Sequence, residues 1–182
     1  MEFFRKGLED SITLPPHPPN EDEIQEVRNA VTNRTAKDVE SIKNHDRVPF
    51  YAIQKYCEDN KLIFHEGEFK DLIYSANPII GHFKKQFKRK RPTEIDKTLN
   101  TLPSSTNKTA SYPSGHAAQS RLVARYVEEK FPEHGEGILK AGNECGWGRV
   151  QAGFHYPSDY HIGNLLGEKM FIFMNREDYG NS

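Results

Sequence analysis

The ten residues "SYPSGHAAQS", Ser111–Ser120, decide the fold, because they mark where a loop turns into a helix. Pro113 fixes the approach of the chain. Ser114 has a hydroxyl to donate, and Gly115 lets a ligand come close to the backbone. His116 falls in the first helical turn, whose free N–H groups attract anions. Beyond it, Ala118, Leu122, Val123, Tyr126 and Val127 recur at helical spacing, and Pro132 stops the pattern.

The same period runs outward in both directions. Toward the N-terminus, Asn20 is placed to cap a helix with Glu21, Asp22 and Glu23 in its first turn and Ile24, Val27 and Val31 on one face. Thr35 with Asp38 signals a second start, with Val39 and Ile42 inside. Pro49 opens a third, carrying Ile53, Tyr56 and Cys57. A longer pattern joins Phe69, Leu72, Ile73, Ala76, Ile80, Phe83 and Phe87. Pro78 is expected to break or kink it, and Pro92 to end it. Residues 93–110 lack periodicity and read as a loop. Toward the C-terminus, Ile138, Leu139, Ala141 and Cys145 define a helix whose Gly142, Gly146 and Gly148 allow close approach. A last helix from about Ser158 turns Ile162, Leu165, Leu166 and Phe173 inward. Strand alternation is nearly absent. The expected fold is all-α, a single-domain helical bundle, with residues 1–19 as an extended N-terminal arm and residues 20–182 as one helical domain.

The bulk properties fit a compact protein with a hydrophilic surface. The chain has 182 residues, a formal net charge of −1, 11 Phe, 8 Tyr and one Trp. The longest apolar run noted, Met170–Met174, is far short of the ~20 residues of a spanning helix, so no membrane span is expected. The N-terminal sequence has no apolar stretch of signal-peptide length, which points to the cytoplasm. Cys57 and Cys145 match no metal or redox spacing and read as reduced, packed thiols. Phe3 and Phe4 read as exposed aromatics that can pack on a partner, which keeps a homo-oligomer open.

Chemistry-bearing residues concentrate in three stretches. In "KKQFKRKRP", a helix would stack Lys84, Lys88 and Arg91 on one face, with Lys84 and Arg91 ~10 Å apart along the axis and free to converge on one anion. The second stretch is Pro113 to His116. In the third, "GRVQAGFHYPSDYH", Arg149 precedes His155, and Asp159 follows it by one helical turn, where a carboxylate can fix the tautomer of the imidazole. Each alone has a plainer account: a solvated basic face, a helix start, a surface pair. Lys85, Lys88, Arg89 and Lys90 read as solvated. His45-Asp46 reads as a surface pair, His161 as packing or rim, and Trp147 and Phe154 as core packing.

Taken together, Lys84 with Arg91-Pro92, Pro113-Ser114-Gly115-His116, and Arg149 with His155 and Asp159 resemble the three signature motifs of the type 2 phosphatidic acid phosphatase superfamily. That superfamily includes class A bacterial acid phosphatases, membrane lipid phosphatases and vanadium haloperoxidases. The resemblance implies the acid phosphatase/vanadium haloperoxidase type of helical bundle and a metal-independent phosphatase acting on phosphomonoesters through a phosphohistidine. It gives Lys84, Arg91 and Arg149 the phosphate oxygens, with Ser114 and the N–H of Gly115 adding hydrogen bonds. His155 would be the nucleophile, oriented by Asp159, and His116 the acid and then the base. No metal or cofactor is expected, and vanadate is expected to inhibit. The partner would be a small phosphorylated substrate rather than nucleic acid. Paired histidines imply a rate profile peaking on the mildly acidic side. Two other readings stay open: a vanadate-dependent haloperoxidase using vanadate as cofactor, and a non-enzymatic basic module binding an anion or nucleic acid. The sequence departs from the family where Gly148 stands in place of the usual Ser before Arg149.

Overall fold

The computed structural model of the chain describes residues 3–174; residues 175–182 of the expected helical domain and the first two of the arm lie outside the described residues. Eight α-helices follow one another: α1 (Asn20–Asn33), α2 (Ala36–His45), α3 (Tyr51–Asp59), α4 (Glu66–Phe87), the short α5 (Pro92–Ile95), α6 (Gly115–Lys130), α7 (Gly135–Gln151) and α8 (Pro157–Ile172). Two 3-10 turns, Leu8–Ser11 and Pro132–His134, complete the described residues, which contain no strand. The protein is an all-α bundle, as its periodicity predicts. No helix of the described residues is long and apolar enough to cross a membrane.

Helix α6 is the central element, packed against α7 and α8 and touching α4. Its contact with α8 is unusually close. A Cβ at Gly163 would lie 2.6 Å from the carbonyl oxygen of Ser114, and one at Gly167 would lie 2.7 Å from that of Ala118. Any larger residue would push the helices apart and carry the start of α8 away from the start of α6. This spacing corrects the expected phase of α8. Gly163, Leu166, Gly167 and Met170 form the buried stripe, while Leu165 and Phe173 face solvent.

Local signals mostly act as read. Thr35 and Asp38 form a reciprocal capping box at α2. Asn20 does not cap α1: it is the first helical residue, and its Oδ1 accepts a hydrogen bond from Arg89 Nε at 2.9 Å. Pro78 does not interrupt α4. It sits on the exposed face, so the helix gives up one backbone bond while Ala76, Ile79, Ile80 and Phe83 stay buried. The helix stops at Phe87 instead, where Lys88 adopts a left-handed conformation (φ 50°) and its N–H caps the carbonyl of Lys84. Pro92 then opens α5 within the region read as loop.

The main core gathers Phe50, Phe69, Leu72, Phe83, Leu122, Ile138, Leu166 and Met170. The N-terminal arm is part of it. Phe3, Phe4, Leu8, Ile12 and Leu14 are buried in the same cluster, around the first 3-10 turn. The extended arm is therefore core-forming, and Phe3 and Phe4 are used up within the chain rather than offered to a second copy. Cys57 and Cys145 are buried free thiols.

Candidate active site

The residues picked out from the motifs sit at helix ends. Lys84 lies in the last turn of α4, Arg91 caps α5, and Ser114 caps α6 with Gly115 and His116 following. Arg149 is in the last turn of α7. His155 lies in the turn between α7 and α8, and Asp159 is in the first turn of α8. The Ser114 N–H donates to the carbonyl of Asp159 at 3.0 Å, which ties the second stretch to the third.

His155 and Asp159 form a buried pair, with Nδ1 3.1 Å from Oδ2. That carboxylate oxygen also accepts from the Ser111 hydroxyl and from the N–H of Tyr156. An acceptor opposite Nδ1 places the ring proton there and leaves the lone pair on Nε2. Nε2 in turn lies 3.1 Å from Arg91 Nη1, an obligatory donor. Burial, followed by the charge of Arg91, pushes the imidazole well below its usual range against the pull of Asp159, so His155 is neutral. Burial raises the Asp159 carboxyl, but His155, Arg89 and Ser111 outweigh it and hold the group at about 2.

Arg89 is the largest correction to the sequence reading. It is not solvated. Its Nη1 donates to Asp159 Oδ1 at 2.8 Å and to Ser158 Oγ, and its Nη2 to Glu23 Oε2 at 2.7 Å. Its guanidinium lies 3.9 Å above the Tyr156 ring. Glu23 also receives the N–H and hydroxyl of Ser158, so α1 caps α8 across the chain. Lys85, Lys88 and Lys90 are exposed as expected.

The stacked helical face expected of Lys84, Lys88 and Arg91 does not form, because α4 ends between them. Lys88 faces solvent while Lys84 and Arg91 turn inward. Lys84 Nζ donates to the carbonyl of Ala110 at 2.5 Å, and Arg91 donates to the carbonyls of Thr109 and Phe154. Burial, then the neighbouring Arg91, lowers the Lys84 ammonium to about 7. The charge of Arg149 acts on both Lys84 and Arg91, and three cations gathered in this way suit an anion.

On the other side, Ser114 Oγ accepts the N–H of Ala117 as the α6 cap. His116 Nε2 donates to the backbone carbonyl of Asp46 at 2.9 Å, which leaves the Nδ1 lone pair able to take a second proton. Burial, with Arg149 next, depresses this imidazole to about 3. Arg149 is 1% exposed. Its Nη1 donates to Asp46 Oδ1 at 2.9 Å, and its Nη2 to the hydroxyls of Ser104 and Thr106, while its buried Nε has no protein partner. Asp46 thus holds both Arg149, by its carboxylate, and His116, by its carbonyl. It is not a surface residue, and neither is His45, which accepts the N–H of Ala52 in the first turn of α3. Burial raises the Asp46 carboxyl, but Ser104, Ser105 and Arg149 overcome it and hold it well below the usual range. A Cβ at Gly148 would meet Ile42 Cγ1 at 3.2 Å, so Ile42 takes up the room that the family's usual Ser would need. Phe154 is core, stacked under Arg149 at 4.6 Å. Trp147 packs edge-on against Tyr160, and His161 is exposed beside that ring.

Two openings flank Lys84. A cavity of about 480 Å³ is bordered by Lys84, Gly115, His116 and Asp46, and a cleft of about 640 Å³ by Arg91, Lys85, Lys88, Lys90 and Lys108. The described residues contain no cluster of three or more His, Cys, Asp or Glu side chains suited to a metal ion.

Residues 72–177, which include every motif residue above, match the model of the PAP2 superfamily. The chain belongs to the PAP2 superfamily. Over 91 residues it is 35% identical to a non-specific acid phosphatase of Salmonella typhimurium, and over 90 residues 34% identical to an acid phosphatase of Zymomonas mobilis. Each match covers 48% of this chain but only 36% and 34% of the relative, so the likeness spans about a third of those proteins. Among solved structures, the chain resembles a transmembrane PAP2-type phosphatidylglycerolphosphate phosphatase from Bacillus subtilis. The TM-score is 0.55 at 16% identity, with 84% of this chain and 82% of that one covered. At that identity the likeness establishes the PAP2 fold and nothing finer.

Proposed function

We propose that this PAP2 protein is a phosphatase that hydrolyses small phosphomonoesters through a phosphohistidine on His155 and without a metal. The observation that carries this reading is the Asp159–His155 pair, whose Nε2 lone pair points at a guanidinium instead of at solvent. A phosphoryl group in the seat of Lys84, Arg91 and Arg149 would meet that lone pair. Ser114 and the Gly115 N–H, at the start of α6, would add hydrogen bonds to its oxygens. Nε2 attacks phosphorus, the ester P–O bond breaks, and the departing oxygen takes the proton from His116 Nδ1. Water then attacks the phosphohistidine and gives its proton to His116. The P–N bond breaks, and phosphate leaves with His155 neutral again.

His116, at about 3 in the empty site, is not an acid at neutral pH. The charge of a bound phosphate dianion raises it, so the acid forms in the complex with substrate. Lys84 adds a limit on the same, alkaline side: above about 7 it loses its charge and with it part of the seat, while protonation of the low-lying His155 imidazole sets the acid limb. Activity therefore peaks on the mildly acidic side of 7.

The test is to trap the intermediate. A rapid quench with radiolabelled phosphomonoester should leave label on the protein that is stable in alkali and lost in acid, and absent from His155→Ala. Orthovanadate should inhibit, and EDTA should leave the rate unchanged. Undiminished turnover by His155→Ala would overturn the reading.

A further inference from the structure

The 480 Å³ cavity beside His116 has a wall unlike the rest of the site. Val48, Phe50, Ile73, Tyr74 and Ile80 supply it from the bend before α3 and from the middle of α4. Tyr74 is 72% exposed, so the core does not account for it. Several polar groups around the opening already have a partner within the chain, although Arg47, Lys70 and Asn77 are exposed. Lys70 pairs with Glu66 at 2.5 Å, Gln119 Nε2 donates to Asn77 Oδ1 at 2.8 Å, and Arg47 Nε reaches Ser105. Asp46 is held by Arg149, and Thr106 donates to Asp46. A guest against this wall finds apolar surface, while the charged groups at the opening, Arg47 and Lys70, stay exposed to water. Burying hydroxyls there would strip them of water without replacement, whereas burying a ring would be favourable.

The position of the two histidines says which part of a substrate arrives there. His116 borders the cavity, and His155 does not. An in-line displacement puts nucleophile and departing oxygen on opposite sides of phosphorus, so the group carried by that oxygen extends past His116. We infer that the cavity seats an uncharged apolar leaving group, of the size of a phenyl ring or a branched alkyl chain, and so selects apolar phosphomonoesters over sugar and polyol phosphates. This inference rests on the phosphatase reading, and it assigns the 640 Å³ lysine cleft no part of the leaving group.

The decisive pair is 2-phenylethyl phosphate and ethyl phosphate, both esters of primary alcohols, so the bond broken is alike and only the guest differs. The expected kcat/KM is about 10–50-fold higher for the phenylethyl ester, with glycerol 1-phosphate no better than ethyl phosphate. The matching phosphonates, which cannot be hydrolysed, should show the same order as competitive inhibitors or in calorimetric binding. In Ile73→Ser/Tyr74→Ser, with its fold checked by circular dichroism, the phenylethyl-to-ethyl ratio should fall at least threefold in both measurements. Equal kcat/KM for the two esters would overturn the inference while leaving the phosphatase reading intact. So would a preference for butane-1,4-diol bisphosphate over butyl phosphate, which would send the leaving group to the lysines. Discriminating phosphonate binding without turnover of any ester would do the reverse, sustaining the cavity and removing the phosphatase.

Discussion

The two histidines stand in contrasting surroundings. His155 is backed by a closed array: Asp159 behind it, Arg89 and Ser111 behind Asp159, and Glu23 behind Arg89. Every link is buried and charge-compensated, and it joins four separate parts of the chain. His116 leans on a single residue, Asp46, which belongs to the bend after α2 and is clasped by hydroxyls of the 104–106 loop. That side borders the open cavity. The difference teaches how one site can serve two needs. On the proposed mechanism His155 is a nucleophile, which must keep one tautomer and one direction and so suits a rigid array. A group that exchanges protons with substrate and water must sit where they come and go.

The first way to break this contrast is at its rigid end. Asp159→Asn keeps the shape but offers Nδ1 either an acceptor or a donor, so the Nε2 lone pair is no longer guaranteed. The expected loss in kcat is about 10³–10⁴-fold with little change in KM, read by steady-state kinetics. Next in size is Arg89→Met, which leaves the carboxylates of Glu23 and Asp159 facing each other without their cation. Urea unfolding should show a loss of about 3–5 kcal/mol. Asp46→Asn tests the other side. It weakens the hold on Arg149 and removes a negative charge from beside His116, so kcat/KM should fall about 10–100-fold, a loss smaller than that of Asp159→Asn. Because the Asp46 charge raises the imidazole, its loss should also move the alkaline limb of kcat to lower pH.

Acid should act on both sides at once. The folded pKa values of His155 and His116 lie below the 6.5 of the unfolded state, so the unfolded chain binds more protons as pH falls from 6.5 toward 3. Asp159, at about 2 when folded against 3.8, extends the loss further down. Stability present above 6.5 is thus withdrawn on acidification, and thermal melts should show a falling midpoint across that window. The smallest effect is expected of Gly148→Ser. Its Cβ needs Ile42 to yield a few tenths of an ångström, costing about 0.5–1 kcal/mol, with activity nearly unchanged.

How much of this was legible in the sequence follows the same division. The bundle was, because helices α1–α4 and α6–α8 carry apolar residues at a 3.6 period or a capping signal. The motif residues were, because their spacing is local. The supporting residues were not. Arg89 sits in a run of lysines and shows no sign of its burial, since Glu23 and Asp159 lie 66 and 70 residues away. Asp46 meets His116 and Arg149 across 70 and 103 residues. The arm from Phe3 to Leu14 has no period to read, and its burial is set by the groove it fills. Pro78 and Leu165 were misread for one reason: which side of a helix faces solvent depends on its neighbours, and the spacing of α6 and α8 set by Gly163 and Gly167 is a tertiary fact.

Glu23 gives the centre a temporal property. It lies in the first helix, yet it completes the support of a histidine emerging from the ribosome 132 residues later, through partners at positions 89 and 158. His155 cannot be aligned until α1 and α8 have met, so during synthesis or refolding competence should be the last property to arrive, trailing the appearance of helicity.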